Sequence, residues 1–222
     1  MVREYEVTLT GMAPGLLMHR DNIEWADEMQ TWRADPKNKG LSRPGDDRHP
    51  AFTWLGAVYH DGEYLALPAD NIARCLMEGG AQTPVPGGRN GKTFKAQTQS
   101  GMMSRDAFWE FFSNGKRIPW ASLAALMDRA DVMAHRAVCR NLGFDLMFRR
   151  ATIGKAKHVR VRPWFKLWSA RGVISVWDDQ ITEAVLTTIL AQCGSFKGLC
   201  DWRPGSKTPG PYGRFDAVVK AL

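Results

Sequence analysis

The last third of the chain constrains the fold most. Val159–Phe165 alternates Val159, Val161 and Pro163 with Arg160, Arg162 and Trp164, and the span from Leu146 to Trp177 contains no Asp or Glu. A period of two puts alternate side chains on opposite faces, so this segment is predicted as a strand with one strongly basic face. Gly172–Trp177 is predicted as its hairpin partner. Thr182–Cys193 then switches to helical spacing, with Val185, Leu186, Ile189 and Leu190 inward, Thr182 as N-cap and Gly194 as stop. A loop punctuated by Gly194, Gly198, Gly205, Gly210 and Gly213 leads to a last strand, Phe215–Val219.

The first two thirds supply the remaining elements. Glu4–Leu9 alternates Tyr5, Val7 and Leu9 with Glu4, Glu6 and Thr8, which predicts a half-buried strand. Ala51–Tyr59 and Glu63–Leu67 read as short strands flanking a turn at Asp61-Gly62. Pro68–Glu78 predicts a helix that begins at Pro68, buries Ile72, Cys75 and Leu76, and stops at Gly79-Gly80. Asp106–Phe112 and Trp120–Met133 are read as helices. Residues 21–50 are polar and broken by Gly40, Pro44 and Gly45, and residues 83–101 carry glycines and basic side chains without periodicity. Both are read as loops or arms. The resulting order, strand–helix–two strands–helix–strand, is that of an α+β, ferredoxin-like (RRM-like) β-α-β-β-α-β core with large insertions. The whole chain, 1–222, is taken as one domain, with insertions at about 21–50, 83–101 and 104–140, the last one helical.

The chain has 44% apolar residues and nine Trp, which is enough for a proper core, and a net charge of +7 that suits a polyanionic partner. No apolar run is long enough to span a bilayer and no segment resembles a signal peptide, so no membrane partner and a cytoplasmic location are expected. Cys75, Cys139, Cys193 and Cys200 lack paired spacing. His135 and Cys139 lie one helical turn apart and would supply only half of a zinc site. No phosphate-binding loop, nucleophile elbow or dinucleotide fingerprint is present, and no cofactor is expected.

Some of these residues resemble a known group. Leu65-Ala66-Leu67-Pro68-Ala69-Asp70-Asn71-Ile72-Ala73-Arg74 is similar to the apolar-Pro-x-Ser-x-Leu-x-Gly helix start of the RAMP superfamily, the CRISPR-associated RNA-binding proteins. The first strand followed by Gly15-Leu16-Leu17-Met18-His19 resembles that superfamily's first strand and loop, and the glycine loop before the last strand resembles its C-terminal glycine-rich region. The glycines stand at wider spacing than in the superfamily's processing enzymes, and the chain is short for a backbone subunit. The resemblance implies a ferredoxin-like fold and a role in antiviral defence. It also implies assembly along guide RNA with other ribonucleoprotein subunits or with further copies of the chain. Residues 21–50 or 83–101 would be the inserted thumb or finger.

The candidate binding residues are Lys155, Lys157, His158, Arg160, Arg162, Trp164 and Lys166 on the predicted hairpin, and Lys197, Arg203, Lys207 and Arg214 around the glycine loop. Arginine clamps phosphate, aromatic rings stack unpaired bases, and glycine lets backbone N–H groups approach an anion. The plainer alternatives are a solvated hairpin face, core tryptophans at Trp164 and Trp168, and an ordinary turn in which Trp202 and Arg203 lock the loop to the body. The expected function is therefore single-stranded RNA binding within a CRISPR-type ribonucleoprotein. One alternative is a metal-independent endoribonuclease with His19 as acid and base. Another is a mobile-element protein that binds single-stranded DNA or blocks a CRISPR complex. Asp21, Glu24, Asp27 and Glu28 form an acidic run that would suit Mg²⁺ only if the four converged, and is otherwise a solvated face.

Overall fold

The computed structural model describes residues 2–88, 91–153 and 156–222. In chain order the elements are β1 (Arg3–Gly11), β2 (Leu16–Leu17), α1 (Ile23–Ala34), β3 (Ala66–Pro68), α2 (Ala69–Gly80), α3 (Lys95–Ser100), β4 (Met102–Ser104), β5 (Phe108–Ser113), α4 (Trp120–Ala124), α5 (Val132–Asn141), β6 (Asp145–Ile153), β7 (Ala156–Phe165), β8 (Trp168–Val176), α6 (Glu183–Gln192) and β9 (Phe215–Ala221). The protein is a mixed α/β structure built on antiparallel sheets. The larger sheet runs β3-β5-β8-β1-β9, with β4 also paired to β8, and the smaller runs β2-β7-β6.

The alternation in β1 resolves as predicted. Tyr5, Val7 and Leu9 are buried, and α2 and α6 cover that side of the larger sheet. Thr182 caps α6, its hydroxyl oxygen accepting from the Val185 amide, and Leu186, Ile189 and Leu190 are buried. One cluster of buried side chains runs from β1 through β5 and β8 into the smaller sheet at Leu146, Val161 and Phe165. The Asp61-Gly62 turn forms, closed by a bridge between His60 and Leu65, but Thr53–Ala57 is a 3-10 turn where a strand was expected.

Other predicted elements are corrected as well. Asp106–Phe112 is not a helix. Phe108–Ser113 is strand β5, with Trp109, Phe111 and Ser113 buried and the alternate residues outward, the period that a run of aromatics favours in a sheet. Trp120–Met133 is broken, since α4 ends at Ala124 and α5 starts only at Val132 behind its Asp131 cap.

Gly172–Trp177 is not the hairpin partner of Val159–Phe165. A strand has two edges, and both edges of β7 are occupied. One is taken by β6, the other by β2 and by residues 45–47, where the Val159 amide donates to Gly45 O and the Asp47 amide donates to Val159 O. After the turn at Lys166-Leu167 the chain changes sheet, and β8 pairs with β1, β4 and β5.

The segment 21–50 is also more ordered than its composition suggested. Trp25, Met29 and Trp32 recur at helical spacing on α1, and both tryptophan rings meet Phe52 edge-on. Residues 83–101 hold a short antiparallel bridge between Pro84 and Thr93, then α3.

Candidate nucleic-acid interface

The pairing of β6 with β7 sets the site. Their antiparallel register puts Arg149 opposite Arg160 and Met147 opposite Arg162, so one face of the ribbon carries a ladder of guanidiniums. Like charges directly opposed across a ladder repel, and such a face is stabilised by a bound anion. The fold supplies one internally. Asp47, almost fully buried, accepts from Arg160 at 2.8 Å, from Arg162 at 3.4 Å and from the Val161 amide at 3.2 Å. Asp201 takes the Nε–H of Arg162 at 3.1 Å. The basic run is thus acid-free only in sequence, because residues from far along the chain bring two carboxylates to its face.

Beside this ladder lies a hollow of about 660 Å³, walled by the ribbon, by Leu17 of β2 and His19 just after it, and by the loop 201–208. Arg149, Arg150, Arg160, Arg162 and Lys207 line it against one carboxylate, Asp201. Among the described residues no carboxylate lies within ion-pair reach of Arg149, Arg150 or Lys207. Two further hollows, of about 480 and 390 Å³, adjoin it, and His19 belongs to the walls of all three. Arg20 and Arg33 edge the first of these, and Arg74 edges the second. His19 is thus the hub of a basic groove. His19 is itself exposed by surface area, but the walls around its imidazole displace water, and this desolvation, followed by the neighbouring Arg162 guanidinium, lowers its pKa and favours the neutral ring.

The sequence candidates separate into groups. Arg160, Arg162 and Lys207 come together in the groove. Lys157 and Lys166 are exposed on the ribbon and on the turn after it. His158 is half-buried against Gly45, while Lys197 and Arg214 are half-buried elsewhere on the loop. Lys155 lies outside the described residues. Trp164 is half-buried, donates its indole N–H to Pro14 O at 2.8 Å, and is covered by the Lys166 ammonium at 4.5 Å. Trp168 is core.

Arg203 forms a two-pronged pair with Glu78 at 2.8 and 3.1 Å and is a lock between the loop and α2. The glycine loop is not a free phosphate cradle. Gly198, Gly205, Gly210 and Gly213 already donate their amides to Cys193 O, Lys197 O, Arg203 O and Gly15 O. Gly198 and Gly213 sit at φ +67° and +72°, where a side chain would be strained, so these glycines shape the turn.

Other candidates do not form sites. His135 is buried, its Nδ1 accepting from the Trp54 indole N–H and its Nε2 facing Arg129 O, so it belongs to the core. Asp21, Glu24, Asp27 and Glu28 are spread along the start of α1, and among the described residues no group of three or more His, Cys, Asp or Glu is placed to hold a metal ion. The face of the larger sheet turned away from α2 and α6 has mixed charge, with Arg171 paired to Glu110 at 2.7 Å and Arg105 to Glu4 at 3.5 Å.

Sequence reasoning missed Arg149 and Arg150, because nothing local shows that Asp145–Ile153 is the partner of β7. It also missed Arg20, Arg33 and Arg74, which reach the groove only through the tertiary fold. The acid-free span did include Arg149 and Arg150, and was the available signal. No protein-family model matches the chain, and no curated protein matches it either. No described helix is long and apolar enough to cross a membrane.

Proposed function

We propose that this protein binds single-stranded RNA in the His19-centred groove, as a RAMP-like subunit of a CRISPR-type ribonucleoprotein. The observation that carries the reading is the cross-strand guanidinium ladder beside an open hollow that also contains Trp202. Phosphates answer the cations, and unpaired bases answer the ring. The strand order β9-β1-β8-β5, with α2 between β1 and β5 and α6 between β8 and β9, supports a ferredoxin-like core into which the other elements are inserted. In that reading the β6–β7 ribbon, rather than residues 21–50 or 83–101, is the inserted hairpin. Four free thiols, three of them buried, fit a reducing, cytoplasmic setting.

Fluorescence anisotropy at matched salt, with a labelled RNA strand, the DNA strand of the same sequence and the RNA duplex, tests the proposal. Tighter binding of the RNA strand supports it. Equal or stronger duplex binding overturns it, and preference for the DNA strand transfers the site to the DNA-binding alternative.

The endoribonuclease reading retains one specific support, since a neutral imidazole at the meeting point of three hollows is suited to take a proton from a 2′-hydroxyl. No second acid–base group faces His19 at hydrogen-bond distance among the described residues, so binding is the preferred reading. Metal-free incubation with labelled RNA decides between them. Cleavage that disappears in His19→Ala makes the protein a nuclease.

A further inference from the structure

The strained turn Cys200-Asp201-Trp202 is unexplained by phosphate binding alone. Cys200 and Trp202 adopt φ +62° and +47°, a region that side chains other than glycine rarely occupy. Such strain persists only where the surroundings over-determine it, and it clusters at binding sites. Here the surroundings are explicit. The Asp201 amide donates to Leu17 O at 2.9 Å, its carboxylate accepts from the Trp202 amide at 2.9 Å, and the same carboxylate holds Arg162.

The turn aims Trp202 into a column of flat groups. Tyr212, buried, packs its ring against the Trp202 indole at 5.3 Å with a 30° tilt. The Arg149 guanidinium carbon sits over the same indole, 3.5 Å from the ring centre. The column therefore runs from the core to solvent, since Tyr212 is buried, Trp202 half-buried and Arg149 exposed. Trp202 and Arg149 both wall the 660 Å³ hollow, and a void of that size accepts a nucleotide-sized ligand. A guanidinium plane backed by an aromatic ring, with no carboxylate to draw it aside, is a surface on which an unpaired base stacks.

The geometry points to a base-stacking subsite: one unpaired base of the bound strand lies on the Arg149–Trp202 column, while its phosphates meet Arg150 and Lys207. This rests on the RNA-binding reading and adds to it the reason for preferring single strands, because a base held in a duplex has no free face to offer. The strained turn is then a device that fixes the Trp202 ring at the depth a base requires.

The test compares a labelled oligouridylate with a strand of equal length and charge in which abasic ribose replaces the nucleosides. The wild-type protein is expected to bind the abasic strand roughly tenfold more weakly, within the range known for one stacked base. Trp202→Phe, which keeps a flat ring, is expected to retain most of that discrimination. Trp202→Leu is expected to bind both strands alike while keeping the salt dependence of the wild type.

Should Trp202→Leu fail to fold, the comparison on the wild-type protein still decides. RNA binding with equal affinity for both strands overturns the stacking subsite and leaves the RNA-binding function standing. Absence of binding to either strand at low salt overturns both.

Discussion

Two arginines show what separates a cation that holds the fold from one that can hold a phosphate. Arg203 is mostly buried, grips Glu78 with both terminal nitrogens and also reaches Lys197 O. Removing it leaves Glu78 half-paired in a poorly hydrated place, so Arg203→Ala is expected to cost about 1.5–3 kcal/mol. For a chain of this length that is a fall of about 3–12 °C in Tm, measured by circular dichroism. RNA affinity should change little, and a large loss of affinity with an unchanged Tm would make Arg203 a ligand contact after all.

Arg160 and Arg162 are intermediate cases because they share Asp47. Reversing both to Glu would crowd three carboxylates around one buried site, so that variant is expected to lose the fold before it reports on binding. Asp47→Asn is the gentler probe. It should lower Tm by several degrees, since a buried charged acceptor is weakened, while RNA affinity stays equal or rises. A loss of affinity would show that Asp47 orients the two guanidiniums for their ligand.

The ribbon and the loop are the elements on which the site depends, and they were unevenly legible. The basic face of β7 could be read from its own alternation, and β1 and α6 likewise announce themselves within a few residues. β5 did not, because an aromatic run such as Phe108-Trp109-Glu110-Phe111-Phe112 carries little contrast between buried and exposed positions. α1 was hidden because only Trp25, Met29 and Trp32 are apolar contacts on an otherwise polar segment. Asp47 meets Arg160 across more than a hundred residues, and no local pattern encodes such an approach.

The same distinction selects the cations to remove at the scale of elements. Arg150 on β6 and Lys207 on the loop are exposed and line the groove from opposite walls. Arg150→Ala with Lys207→Ala should therefore leave Tm within about 1–2 °C of the wild type, as surface changes generally do. The log–log salt dependence of binding to single-stranded RNA should become shallower by about 1.4, or about 0.7 per lost phosphate contact. An unchanged slope would show that the strand does not run between the ribbon and the loop.

Across the whole molecule, one core joins the two sheets, so groups placed far apart contribute to a common stability. His19, His60 and His135 all have pKa values pushed below the ordinary 6.5, in each case chiefly by desolvation; His135 is buried, His60 half-buried and His19 exposed, so solvent screening leaves His19 the smallest share. The unfolded chain therefore binds protons at these positions before the folded one does. By linkage their effect is absent well above pH 6.5, and stability falls as the pH drops from there towards the folded-state values. The carboxylates act in a separate window. Asp46, held by Arg48, and Asp145, where Arg136 and Arg140 outweigh the cost of burial, titrate at about 2 instead of 3.8. Their contribution is present above about pH 4 and is lost only below it.

A fall in Tm between pH 7.5 and 5 is thus a histidine effect, and His135 is the best placed to cause it. Its Nδ1 accepts the Trp54 indole N–H at 3.1 Å, which leaves the ring proton on Nε2 for Arg129 O at 2.8 Å. A second proton would point Nδ1–H at another donor inside the core. Melting curves across this range should show wild-type Tm declining steadily below pH 6.5. His135→Gln should start lower at pH 7.5 and decline less. Parallel curves for the two proteins would place the pH sensitivity at His19 on the groove and at His60, which stacks on Trp120, and would clear the buried histidine of any part in it.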